Sequence, residues 1–124
     1  MKKFIIIGLV FVGILGAGNV RAVEFLPNFE DVPMMSGLQA VDAGGFLFSV
    51  PEGKIVETIA VSDSVTRRQF QRFYRDALRG LGWVVVKEDS KVQEFSRSGD
   101  RLSVEVLSAS PLEVRFSLIP VGEE

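Results

Sequence analysis

The chain has no histidine and no cysteine, and its 124 residues include one tryptophan and one tyrosine. Lacking His, it lacks the side chain whose ordinary pKa suits proton transfer near neutrality. Lacking Cys, it has no thiolate nucleophile, no disulfide and no lipobox, and the common zinc and copper ligand sets are missing. No G-x-S-x-G elbow, Walker-type loop or dinucleotide fingerprint occurs. Internal repeats and low-complexity stretches are also missing. The sequence therefore implies no cofactor and no metal. Carboxylates remain, with Glu30 and Asp31 adjacent and Asp42 a few residues on. Two such acids could act as acid and base in hydrolysis if their environments separated their pKa values. No EF-hand spacing accompanies them. Lys54, Lys87 and Lys91 allow a Ser–Lys dyad only in the sense that any small protein does.

Long hydrophobic runs are scarce too. The one example is Phe4 to Ala17, uncharged and preceded by Lys2 and Lys3. Its 14 residues fit the apolar region of a secretory signal peptide and are short for a membrane span. Val20-Arg21-Ala22 supplies the small residues of a cleavage site, so residues 1–22 read as a signal peptide cut after Ala22. The expected location is the periplasm or the exterior. An uncleaved segment anchoring the chain to the inner membrane is the alternative. Removing 22 of 124 residues leaves 102, with 11 basic and 16 acidic side chains and a net charge of −5. That length suits one domain, and the acidic balance argues against nucleic acid as a partner.

The stretch Ser64 to Trp83 predicts the only helix of the exported part. Phe70, Phe73, Tyr74, Ala77, Leu78 and Leu81 recur with the spacing of a single apolar stripe. Ser64, or Asp63 beside it, can cap the start. Gly82 can adopt the left-handed conformation that ends a helix, which would fold Trp83 back onto Leu78. A second stripe is basic: Arg68, Arg72, Arg75 and Arg79, with Arg67 beside them and Asp76 the only acid. Two readings stand for this stripe. It is a solvated face whose stems cover the core edge, or a docking face for an envelope protein or other anionic surface.

The rest reads as sheet. Residues 23–45 form an extended arm and loop in which Pro27 and Pro33 disfavour helix, expected to pack on the domain and cover a sheet edge or face. Asp31, Val32, Pro33, Met34, Met35 and Leu38 are its candidate contact residues, because the segment is too apolar for a disordered leader. Phe46 to Val50 and Ile55 to Val61 form a hairpin about Pro51-Glu52-Gly53-Lys54. After the helix come Trp83 to Lys87, Val92 to Arg97, Arg101 to Leu107 and Leu112 to Leu118, the last two alternating cleanly. Residues 121–124 are an acidic tail. The fold class is α+β: a two-layer sandwich over residues 46–120, with one helix on a mainly antiparallel sheet of five to six strands, in the order ββαββββ. Tyr74 and Trp83 mark a candidate apolar pocket between helix and sheet, each with a packing role as the alternative. Oligomeric state is open, since an uncovered sheet edge could pair with another copy.

Three features carry a resemblance: Asp31-Val32-Pro33-Met34-x-x-Gly37-Leu38 in the arm, Phe73-Tyr74 in the helix, and Leu81-Gly82-Trp83 at its end. With them the chain resembles a group of small exported proteobacterial proteins to which no activity is attached. The likeness runs from about Asp31 to Pro120. Ser36 stands where that group carries a second Pro. The functional expectation is a non-enzymatic periplasmic accessory or protein-interaction domain. The alternatives are a carrier of a small apolar ligand and a carboxylate-dependent hydrolase.

Overall fold

A computed structural model describes residues 24–41 and 45–121. The signal segment 1–22, Asp42 and residues 122–124 lie outside the described residues. Among the described residues seven strands and one helix follow in the order β1 (Gln39–Ala40), β2 (Phe46–Val50), β3 (Gly53–Ser62), α1 (Arg67–Gly80), β4 (Val84–Glu88), β5 (Val92–Arg97), β6 (Asp100–Ala109) and β7 (Leu112–Pro120). The strands form one open antiparallel sheet in the order β1-β3-β7-β6-β5-β4, with β2 also paired to β3. The helix links β3, near one side of the sheet, to β4 on the opposite edge. The expected strands are all present, with β1 added where a loop was expected.

Tight turns set the registers. Two residues, Pro51 and Glu52, join β2 to β3, and Val50 faces Gly53. Ser98 and Gly99, both at positive φ, join β5 to β6. That backbone matches the strand twist of a two-residue hairpin. Asp89 Oδ1 accepts from the Lys91 and Val92 amides at 2.8 and 2.9 Å, fixing the turn before β5. Those two amides also hold its carboxyl below the usual range. β1 and β2 lie along the same edge of β3: Ala40 faces Ala60 and Phe46 faces Glu57. Gly45 precedes β2, and a Cβ there would lie 2.5 Å from the Glu57 carbonyl oxygen, so no larger residue fits.

The helix begins two residues later than a Ser64 cap would place it. Its cap is Thr66 and not Ser64 or Asp63: Thr66 Oγ1 accepts from the Gln69 amide, and Gln69 Oε1 accepts from the Thr66 amide. This capping box satisfies two otherwise orphaned donors. The preceding turn is held by buried Ser62, whose hydroxyl accepts from the amides of Ser64 and Val65. The far end matches expectation. The Trp83 amide reaches the Leu78 carbonyl at 3.0 Å and the Gly82 amide reaches Arg79 at 3.1 Å, with Gly82 at φ +94. This is a Schellman closure.

Phe116 lies at the centre of the core. Its ring meets Phe70 at 5.9 Å and Tyr74 at 5.0 Å on the helix, and Phe29 at 6.4 Å in the arm. Leu102, Val104, Val106 and Val114 line the same sheet face as expected. Each fully buried side chain of this kind contributes about 1.5–3 kcal/mol relative to exposure. Two expectations need correction. Leu81 is exposed, because the helix has already ended there, and Ala77 is only half-buried. The arm also contributes to this core. Leu26, Phe29 and Val32 are core residues, and Met34, Met35 and Leu38 pack against that core. The arm is folded rather than extended: the Leu26 amide bonds to the Val32 carbonyl and the Met34 amide to the Glu24 carbonyl.

Candidate interaction face and clamped arm

Each element places its charged residues differently. On the outer face of the sheet, Arg101 pairs with Glu94 at 3.5 Å and Arg115 with Glu105 at 2.8 Å. Both pairs bridge adjacent strands, since β5 lies beside β6 and β6 beside β7. At the end of β5, Arg97 pairs with Asp31 at 3.0 Å. Every described Arg outside the helix therefore has an acidic partner. On α1 only Arg75 does, through Glu88 at 2.9 Å. Arg68, Arg72 and Arg79 are exposed, and with Arg67 they form no ion pair among the described residues. So three of the four expected face residues are free, and Arg75 is engaged.

The arm is held by two side chains. Tyr74 is fully buried on the helix, and its hydroxyl donates to the Pro33 carbonyl at 2.7 Å and accepts from the Met35 amide at 2.9 Å. Burial pushes this hydroxyl above its ordinary pKa of 10.0, with the Met35 bond opposing. Tyr74 is thus a core residue that serves as the arm's anchor. The second holder is Arg97, which no motif or periodicity singles out. Its two terminal nitrogens reach both oxygens of Asp31, at 3.0 and 3.2 Å. One of them also donates to the Leu81 carbonyl at 2.9 Å. The guanidinium lies 4.3 Å from the Trp83 ring centre. Arm, helix end and sheet therefore meet on one planar cation.

Trp83 is buried, as its packing role requires, yet its indole N–H has no partner among the described residues. It lines a cleft of about 330 Å³ between the arm and the sheet, with Glu30, Asp31, Lys54, Arg97 and Asp100 among the other walls. Tyr74 does not line this cleft, so the structure does not bring together the two residues expected to share a pocket. The walls are mixed, with Phe29, Val32, Val56 and Leu118 beside the charged residues. Of the candidate acids, Asp31 is engaged by Arg97, while Glu30 is exposed and 3.6 Å from Lys54 Nζ. Among the described residues no helix is long and apolar enough to cross a membrane, and no cluster of acids could hold a metal ion.

A buried polar network was also missed. Gln93, fully buried on β5, donates to the Gln71 carbonyl and to Glu88 Oε2, each at 2.9 Å. Gln71 Nε2 in turn donates to the Asp89 carbonyl. These bonds fix helix against hairpin, but a Gln inside a weakly alternating strand gives no signal of its burial.

No family model, no curated protein and no solved structure matches this chain.

Proposed function

We propose that the chain is a non-enzymatic interaction domain of the cell envelope, with Arg68, Arg72 and Arg79 as its contact face. One observation carries the reading: these arginines are exposed and unpaired, while every described Arg off the helix is neutralised. Two further points support it. The first turn of α1 holds no acid, although the helix dipole favours one there, and Arg67 and Arg68 lie there instead. A local preference broken without a structural return is a mark of function. The exported part is also acidic overall, so a basic strip on it would orient an anionic partner. The expected location rests on the leader at residues 1–22.

The test is a crosslinked pull-down from the native envelope, comparing the wild-type chain with the triple variant Arg68→Glu, Arg72→Glu, Arg79→Glu. A specific partner recovered by wild type and lost by the variant is the expected result. Equal recovery by both contradicts it. No partner in either sample moves the reading to the cleft beside Trp83.

A further inference from the structure

The two edges of the sheet are built differently. β4 carries Lys87 and Glu88 and a register shift between Val85 and Lys87. Charges and bulges of this kind keep an edge from pairing with other chains. β2 has neither: its sequence is Phe-Leu-Phe-Ser-Val, and all five residues pair with β3 in unbroken register. Phe46, Leu47 and Phe48 are 49%, 44% and 59% exposed. Among the described residues the outer backbone edge of β2 pairs with nothing. Three consecutive large apolar residues on a regular, uncharged, open edge form a pairing surface.

We propose that β2 is a dimerisation edge whose occupant is β2 of a second copy, running antiparallel about a twofold axis at Phe48. The identity of the occupant follows from self-complementarity. With the axis at Phe48, Phe46 faces Val50 of the other copy, Leu47 faces Ser49, and Phe48 faces itself. No charge meets another, and no polar side chain larger than serine is covered. Phe48 lies opposite Ile55 within the chain. The symmetric pairing therefore builds an apolar row Ile55–Phe48–Phe48–Ile55 across the two copies. Pairing β2 with β4 of another copy would instead set Lys87 or Glu88 against this apolar edge. It would also propagate head to tail rather than close. A twofold axis normal to the sheet keeps both helices on the same side of the joined sheet. The dimer would then present two basic faces in parallel, raising avidity for an extended anionic partner. The inference does not depend on the proposed function, since dimerisation can be measured without any partner.

The experiment measures solution mass by light scattering across a concentration range, on the protein as recovered from its envelope. A reversible monomer–dimer equilibrium is expected. Phe48→Lys, which sets like charges face to face, should weaken the dimer by at least about tenfold while leaving the circular dichroism unchanged. Because the chain has no cysteine, a second pair of variants tests the geometry directly. Phe48→Cys should form a disulfide-linked dimer on mild oxidation, since facing residues on antiparallel strands are about 4.5–5.5 Å apart. Val84→Cys, on the other edge, should not. A wild-type chain that stays monomeric throughout overturns the proposal. So does a crosslink through Val84→Cys without one through Phe48→Cys, or a dimer of unchanged strength in Phe48→Lys. Purification only as a stable complex with a different protein seated on β2 also overturns it.

Discussion

At the scale of the residue, the account turns on polar groups placed inside apolar surroundings. Tyr74 is the clearest case, because its one buried hydroxyl bonds both a carbonyl and an amide of the arm. Tyr74→Phe keeps the ring and its contacts and removes only those two bonds. The expected cost is about 1–3 kcal/mol, read as a lower denaturant midpoint. The arm should also become susceptible to proteolysis near Pro33 before the sheet does. The same hydroxyl gives a pH dependence. Its pKa is raised in the folded state, so its contribution is complete below pH 10.0, the unfolded value, and is lost as pH rises beyond that. Wild type should therefore lose stability above that pH more steeply than Tyr74→Phe; identical slopes would contradict the assignment. Arg97 is the residue that sequence reading missed. In the chain it is one Arg in a polar strand end, and its partners Asp31, Leu81 and Trp83 are remote in sequence. Only the folded chain joins them.

At the scale of the element, periodic signals were legible and boundary chemistry was less so. The apolar stripe located α1 because a 3.6-residue repeat is imposed by the sheet face it must cover. Gly82 marked its end correctly because a positive φ leaves few alternatives to glycine. The start was misplaced at Ser64 or Asp63, because neither has Gln or Glu three residues on to close a capping box. Thr66 has Gln69. Thr66→Ala should destabilise by about 1 kcal/mol. Ser64→Ala, which removes no capping bond, should change stability by less than about 0.5 kcal/mol in the same denaturant series. Equal losses at the two positions would mean that the helix starts earlier. The arm could be recognised as packed from its apolar content. Its folded shape was hidden because turns at Pro27–Asn28 and Ser36–Gly37 reverse it without any periodic pattern. β1 is too short, at two residues, to leave a pattern at all.

At the scale of the whole molecule, the sandwich followed from the order of elements. Short turns force antiparallel neighbours, and a lone amphipathic helix must lie on a sheet. The sequence could not show which charges would be neutralised, since ion pairing depends on which strands become neighbours. Glu94 and Glu105 take up Arg101 and Arg115 only because β5, β6 and β7 are adjacent. In that distribution Arg75 is held by Glu88, while Arg68, Arg72 and Arg79 are exposed and form no ion pair among the described residues. The most direct measurement is site-specific photo-crosslinking in the living cell. A photoreactive residue would be placed at Asp76, exposed between Arg72 and Arg79, and a second at Ser103 on the opposite face of the sheet. The account expects a discrete adduct from Asp76 that disappears when Arg68, Arg72 and Arg79 are changed to Glu, and no adduct from Ser103. An adduct from Ser103 alone, or one from Asp76 that survives the charge reversal, would contradict it.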